Sequence, residues 1–574
     1  MTKDVNIMIA GAAGQGMQTI GVVLGKVFVR GGCEVFALQD NMSRIRGGHN
    51  FFQLRVCQRP VHAHSMPLHA LIALNEESIG LHSRDVLPGG VILFDSEKCK
   101  VPEEDGRFLG IPMERLAREK GGDNLFSNSV PLGAILALMG WKFESLEKYL
   151  KEFFAGKSGT VEGNTKAALA GFENASEQAQ RYKALKIEPR ESSPKMFLTG
   201  HEAVAMGALA AGCQFMSAYP MSPSTTIMIN LASRADAFHM VVEQAEDEIA
   251  AANMAIGASY AGLRSMTATS GGGFSLMVEA LGLAGISETP LVIIEAQRPG
   301  PATGLPTRTG QSDLLFVLHA SQDEFPRVIL APGTAREAFY QTIQAFDTAE
   351  KYQVPVVVLT DQYLADSYST EERFDISDVK IDRYLMGRRE AEGLKAYRRY
   401  AITDSGVSPR AIPGAVEFEV VADSHEHDED GHMTEDAQLR KKMTEKRFRK
   451  TGGLLKECRP PTDMGNPEAD ALLVGWGSTY GAMAEAIEIL NKEGIPVKGL
   501  HLNQLCPFPR AHTGDLLRGV KRWGVVEGNY TGQLSRLIQM ELQQKPDGHI
   551  LKYTGRPFLP EEIAASFKKE VLSK

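Results

Sequence analysis

The 574-residue sequence contains no apolar run approaching the roughly 18 residues that a bilayer-spanning helix needs. It has six cysteines, Cys33, Cys57, Cys99, Cys213, Cys458 and Cys506, and no two are spaced Cys-x-x-Cys. That spacing excludes the usual frames for an iron–sulfur cluster or a zinc site within the chain, and buried free thiols in a reducing compartment are the expectation. Positive excess is missing too. Lys and Arg number 62 against 71 Asp and Glu, a net charge of −9, which argues against nucleic acid as a partner. Internal repeats and low-complexity tracts are absent from the sequence. The first residues, Met-Thr-Lys-Asp-Val-Asn-Ile-Met-Ile-Ala-Gly, lead directly into a strand and glycine turn, not into a signal peptide. The expectation is a cytoplasmic chain with no membrane segment.

What is present is ample core material, 43% hydrophobic and 23% charged residues, over a length that suits roughly three to four α/β domains. The stretch from Gly200 to Asp313 carries most of the chemistry. Four segments in it each follow a short apolar run that reads as a buried strand. They are Ala218-Tyr219-Pro220-Met221-Ser222-Pro223-Ser224, the acidic run Val241 to Ala250, Thr269-Ser270-Gly271-Gly272-Gly273, and Gln297-Arg298 through Pro306. In an open α/β sheet such loops gather at the carboxyl ends of the strands, where ligands bind. Glu248 falls in the first turn of a helix of small residues, which packs closely. There the helix N-terminus favours the ionised carboxylate and burial opposes it. The plainer alternative is that Glu246, Asp247 and Glu248 only complement the helix dipole, and that Arg298 is a solvated loop charge.

Elsewhere the motifs are weaker. Gly11-Ala-Ala-Gly14-Gln15-Gly16 lies between the strand Val5 to Ala10 and a helix from Met17 to Val29, and the next strand ends at Asp40. This looks like a dinucleotide fingerprint, but the spacing is Gly-x-x-Gly-x-Gly, and glycines used only for tight packing fit as well. His62, His64 and His69 lie in a stretch broken by Pro60 and Pro67, and no metal is expected there. The strand Val354 to Thr360 ends at Asp361, and a last α/β domain starts near Asp463. Between them, Asp423 to Asp430 is acidic and Arg440 to Lys450 basic, which reads as a solvated or mutually paired surface, with no metal assigned to His425 and His427.

Taken in order, Tyr-Pro-x-Ser-Pro-Ser, the acidic helix start, Thr-Ser-Gly-Gly-Gly and Gln-Arg-Pro-Gly-Pro-x-Thr-Gly-Leu-Pro-Thr resemble the α component of 2-oxoacid:ferredoxin oxidoreductases, over nearly the whole chain. The resemblance implies a multidomain α/β protein. It would comprise a γ domain at 1–178, a linker at 179–195, a pyrimidine-binding domain at 196–400, a charged connection at 401–462 and a transketolase C-terminal-like domain at 463–574. It also implies the activity, a reversible, coenzyme A-dependent oxidative decarboxylation of a 2-oxoacid with reduction of ferredoxin. The γ-before-α order favours 2-oxoglutarate, giving succinyl-CoA and CO2, over pyruvate. Less favoured readings are a nicotinamide dehydrogenase and a non-catalytic scaffold subunit.

Site roles follow from the same resemblance. Glu248 matches the catalytic glutamate that hydrogen-bonds the pyrimidine N1′ of thiamine diphosphate, and so helps the 4′ nitrogen remove the C2 proton. Tyr219, Pro220, Ser270 and Gly271 match cofactor-binding positions. Ser222, where relatives often carry Thr, and Arg298 match positions near the substrate, a guanidinium suiting a planar carboxylate. Arg308 is the candidate for a second carboxylate. In the γ segment Gly14, Gln15, Gly16, Arg46 and Gly47 are the candidates for coenzyme A. No Gly-Asp-Gly occurs in the sequence. The Mg2+ and diphosphate site, and a [4Fe-4S] cluster, are therefore expected on a β subunit, in a dimer of αβ heterodimers.

Overall fold

Runs such as Leu-Val-Ile-Ile-Glu-Ala-Gln and Pro-Val-Val-Val-Leu-Thr-Asp become strands buried at every residue, Leu291–Gln297 and Pro355–Asp361. This is the pattern of parallel strands covered on both faces. The computed structural model describes residues 4–42, 48–101, 105–155 and 159–573. By its internal contacts the chain forms two units, Met1–Leu198 with Ser367–Phe374, and Thr199–Asp366 with Asp375–Lys574.

The first unit is built on an eight-stranded sheet. Its order is Phe108–Ile111, Val86–Asp95, Leu68–Ala73, Asp4–Ala12, His49–Cys57, Glu34–Asn41, Tyr368–Glu371 and Met196–Thr199. Asp4–Ala12 pairs parallel to Leu68–Ala73 but antiparallel to His49–Cys57, which separates it from Glu34–Asn41. A dinucleotide unit needs its first two strands side by side and parallel. Here an antiparallel strand lies between them, so the fingerprint-like glycines and Asp40 do not share that geometry. The core packs Phe28 edge-on to Trp141 at 5.2 Å, with Trp141 Nε1 donating to the Ile187 carbonyl at 2.7 Å.

The second unit holds two sheets. One runs in the order Gln504–Cys506, Val328–Leu330, Pro355–Asp361, Leu291–Gln297, Ser265–Thr269, Phe215–Ala218, Val241–Gln244, parallel except for Gln504–Cys506. The other runs Thr462–Gly465, Lys498–Leu502, Ala471–Trp476, Arg522–Glu527, Gly548–Leu551, parallel except for Thr462–Gly465. The two share a core in which Leu314 and Val317 cluster with Trp523, Leu534 and Leu537.

The charged connection departs from a solvated surface. Its basic half is the helix Ala437–Lys456, in which Met443, Lys446, Arg447, Lys450 and Leu454 are all buried. Three- and four-residue spacing sets these side chains on one stripe. Lys446 and Lys450 reach the buried Glu288 at 2.6 and 2.5 Å. Burial works against the charge on Glu288, but Lys450, Lys446 and Arg399 together hold its carboxyl well below the ordinary range. The acidic half supplies Glu426, paired with Arg447 at 2.8 Å and with Arg440. Mutual pairing is therefore real, and it is internal. His427 is buried against the Tyr400 ring, 3.9 Å between centroids, and burial lowers its pKa. Phe448, by contrast with Met443, is exposed.

Among the described residues no helix is long and apolar enough to cross a membrane, and no His, Cys, Asp or Glu cluster is able to hold a metal ion. The six cysteines are free thiols, four of them buried.

Candidate functional site

The carboxyl ends of the second unit's parallel strands bring the four loops together. Strand Val241–Gln244 leads to Asp247, whose side chain caps the next helix by accepting from Ala250 N at 2.7 Å. Capping leaves Glu248 as the first residue of the helix Glu248–Tyr260, and small residues at 250–252 and 255 let that helix pack inward. Glu248 is 4% exposed, and its Oε1 is buried with no hydrogen-bond partner. The carboxyl lies against the glycine turn. A Cβ on Gly273 would stand 2.6 Å from Glu248 Oε1 and would also overlap Thr269 Oγ1. Glycine is required there for close approach, not for backbone freedom.

Ser270 caps the helix Gly271–Ile286 by backbone alone, and its hydroxyl is a second buried polar atom without a partner. Buried polar groups orphaned at the starts of both helices mark a place where a ligand supplies the missing contacts. Thr269 Oγ1 reaches Met221 Sδ at 3.9 Å, joining the glycine turn to the Tyr219–Ser224 turn. On that turn Arg298 Nη1 donates to the Ser222 carbonyl at 2.7 Å. Arg298 is half-buried, and burial lowers its pKa. Tyr219 is 40% exposed and Pro220 half-buried at the rim. Contacts thus link Glu248 to the glycine turn, the glycine turn to the Tyr219–Ser224 turn, and that turn to Arg298. Arg308 sits farther along the Arg298 loop, where its Cβ packs opposite Gly555.

Three acids meet at this edge, of which the sequence reading placed only Asp361, at the end of its strand. Glu295 is fully buried on Leu291–Gln297, and neither of its oxygens meets a donor. What faces it is the carboxyl of Asp313, with Asp361 nearby. Burial, the Asp313 charge and hydrogen bond, and the Asp361 charge raise Glu295 well above the carboxylate range. Burial pushes Asp313 up to about 6. Two facing carboxyls in a buried site resist ionising together, and both are raised. Asp313 in turn underlies Gly271, whose added Cβ would lie 2.5 Å from Asp313 Oδ2. Asp361 is raised by burial and accepts from Ser478 Oγ and, at 3.0 Å, from Leu364 N. For Glu295 and Asp361 the signal available in the sequence was an acid inside or at the end of an apolar strand, and Asp313, outside any strand, carried no such signal.

In the first unit the glycine turn has a different character. Gly14, at φ +88°, faces open space, while a Cβ on Gly16 would run into Asn128. Gln15 is occupied internally, accepting from Ala12 N at 2.6 Å and donating to the Leu74 carbonyl at 3.3 Å. Gly14 and Gln15 border a cavity of about 390 Å3 that also includes Asp95, Glu114, Asp123 and Lys98. Among the described residues its charged lining is three carboxylates and one lysine. Gly16 packs against Asn128, and Gly14 and Gln15 are the described residues among the coenzyme A candidates that reach this cavity. The other two candidates for that role, Arg46 and Gly47, lie outside the described residues.

Comparison with known proteins agrees with the order of motifs. The family model for the pyruvate flavodoxin/ferredoxin oxidoreductase thiamine diphosphate-binding region matches residues 206–446. The pyruvate ferredoxin/flavodoxin oxidoreductase model matches 6–174, and the pyruvate:ferredoxin oxidoreductase core domain II model matches 469–563. The chain is 32% identical to the 2-oxoacid:ferredoxin oxidoreductase 2, subunit alpha, of Aeropyrum pernix, across 99% of this chain and 97% of that protein. It is 29% identical to the 2-oxoglutarate oxidoreductase subunit KorA of Mycobacterium tuberculosis, across 98% of this chain and 90% of that one. Among solved structures it is similar to the 2-oxoglutarate:ferredoxin oxidoreductase from Magnetococcus marinus with 2-oxoglutarate, coenzyme A and succinyl-CoA bound. That match has a TM-score of 0.92 and 32% identity, over 99% of this chain and 100% of that chain. Near full-length likeness, together with the loops that converge on Glu248, leads to one conclusion: the chain belongs to the 2-oxoacid:ferredoxin oxidoreductase α-subunit family.

Proposed function

We propose that this chain is the α subunit of an enzyme that oxidatively decarboxylates 2-oxoglutarate with coenzyme A and passes the electrons to ferredoxin. The observation that carries the reading is the buried, partnerless Oε1 of Glu248 at a helix start beside a glycine turn. A carboxyl in that setting suits a ligand that brings its own ring nitrogen and proton, as the pyrimidine of thiamine diphosphate does. That cofactor, when bound, supplies the carbon nucleophile and electron sink that decarboxylation of a 2-oxoacid needs. Glu248 would hold the proton at N1′, and Gly273 lets the carboxyl approach without a side chain in the way. Arg298 spends one donor on the Ser222 carbonyl, and a guanidinium has five, so the same arginine can grip the substrate's carboxylate beside Ser222.

Tyr219, Ile249, Met254 and Leu276 expose 39 to 49% of their surface around this site. We read this apolar rim as the seat of a β subunit that brings Mg2+, the diphosphate half of the site and a [4Fe-4S] cluster, in a dimer of αβ heterodimers. The divisions at 178, 195, 400 and 462 are our reading of the domain limits. The 2-oxoglutarate assignment draws on the Magnetococcus marinus and Mycobacterium tuberculosis relatives, whose names carry that substrate, whereas the Aeropyrum pernix relative is named for 2-oxoacids in general.

The test is anaerobic co-expression with the β partner and an assay of coenzyme A-dependent ferredoxin reduction. We expect kcat/KM to be highest for 2-oxoglutarate, and a preference for pyruvate would reject that substrate. No reduction with any 2-oxoacid would reject the function. Arg308→Ala should lower kcat/KM more for 2-oxoglutarate than for 2-oxobutyrate. An equal loss for both removes Arg308 from the distal carboxylate.

A further inference from the structure

The loop from Arg298 to Asp313 is held from outside its own sheet. Its two ends are tied by Gln297, which donates to the Thr360 carbonyl at 3.1 Å and accepts from Asp313 N at 3.0 Å. Its near half closes on itself, with Leu305 N donating to the Pro299 carbonyl at 2.9 Å. Gly304, at φ +52°, permits that turn because a Cβ there would overlap the Pro299 carbonyl. The far half is different, for it bonds to the carboxyl edge of the C-terminal sheet. Gln311 is 2% exposed and uses every polar group it has. Its N donates to the Gly528 carbonyl at 2.8 Å, and its Oε1 accepts from Gly528 N at 2.9 Å. Its Nε2 donates to the Trp476 carbonyl at 3.0 Å, and its carbonyl accepts from Asn529 Nδ2 at 3.0 Å.

The receiving edge is itself braced. Trp476 ends one strand, and Gly528 follows the strand Arg522–Glu527. Buried Glu527 accepts from Asn529 Nδ2 and from Leu534 N, both at 2.8 Å. One residue further along the loop, Gln533 donates to the Ser312 carbonyl at 2.6 Å and accepts from Leu315 N at 3.0 Å. A glutamine satisfied four ways by a rigid edge fixes the register of the chain that carries it, since any shift orphans buried donors and acceptors at once. The chain it carries is the one that begins at Arg298.

We propose that Gln311 is a positioning residue for the 2-oxoacid, the clasp through which the C-terminal sheet sets the loop that presents Arg298. The proposal rests on the functional reading above and assigns the C-terminal sheet a role beyond architecture. Gln311→Ala removes both side-chain bonds. Gln311→Glu keeps the acceptor for Gly528 N but sets an oxygen against the Trp476 carbonyl. Gln533→Leu, at the half-exposed outer contact, is the milder variant should the first two fold poorly. In the assembled enzyme, hydrogen exchange at residues 299–310 should quicken. The KM for 2-oxoglutarate should rise by roughly tenfold or more, the scale of a misplaced positioning group. The kcat and the affinity for thiamine diphosphate should stay within about twofold. Unchanged exchange, or faster exchange with an unchanged KM, overturns the proposal. Exchange needs no turnover, so a parent enzyme that reduces ferredoxin with no 2-oxoacid would reject the functional reading, while exchange alone would still decide whether Gln311 is the clasp.

Discussion

Replacing Glu248 by Gln keeps the shape pressed against Gly273 but takes away the group that can share a proton with a ring nitrogen. Thiamine diphosphate should still bind the assembled enzyme, while exchange of its C2 proton slows on the order of 10²-fold or more, the scale of acid–base contributions. Proton NMR on acid-quenched samples after timed mixing with deuterated buffer reads this, and unchanged exchange would return Glu248 to a helix-dipole role. Glu295 and Asp313 give a second prediction, about stability. Burial raises both, Asp313 up to about 6 and Glu295 well above its ordinary range, over the unfolded carboxylate values near 4. Between those limits the folded chain holds more protons than the unfolded one. Stability is therefore full on the acid side and falls as pH rises through the window. Glu295→Gln keeps a donor toward Asp313 and removes the contribution of Glu295, leaving that of Asp313. The Tm of the variant should then change less between pH 5 and 8 than the parent's, with a gain on the order of 1–3 kcal/mol at the upper end. Parallel profiles for variant and parent would show that folding binds no extra proton at Glu295 in that range.

At the scale of elements, the helix Ala437–Lys456 shows how far pattern reading extends. Its charge was legible, but the stripe that puts Lys446 and Lys450 onto Glu288 was not, because Glu288 lies far away in sequence, at a turn with φ +47°. Two buried ammonium groups on one carboxylate make that carboxylate hard to remove. Glu288→Gln should cost about 3–5 kcal/mol in urea unfolding, since breaking a buried pair leaves uncompensated charge. Adding Lys450→Met should recover part of that loss. A loss below about 1 kcal/mol would mean that the network behaves as a surface one. The strand Tyr368–Glu371 was equally hidden. Tyr-Ser-Thr-Glu is too short and polar to declare itself, and its place is fixed by pairing with Glu34–Asn41 and by Tyr368 stacked at 5.1 Å on Phe197.

At the scale of the whole molecule, the missing Gly-Asp-Gly gives the plainest prediction. The purified chain alone should turn over no 2-oxoacid and show no iron–sulfur absorbance. Activity, or a stoichiometric chromophore, from the isolated chain would remove the need for a β partner. The sequence by itself determined the family, the alternation of buried strands and helices, and the loops that hold Glu248, Ser222 and Arg298. Each of those is a local signal, an apolar run followed by glycine, proline or an acid, and local signals survive in a linear string. Only the tertiary structure decided that His49–Cys57 separates the two strands of the apparent dinucleotide motif, that Gly16 is needed for Asn128, and that the lysines of the connection are buried. It alone paired Glu295 with Asp313 and fastened Gln311 to Gly528. These are contacts between residues remote in the chain, whose energies depend on burial and mutual distance, and neither quantity exists until the sheets have packed.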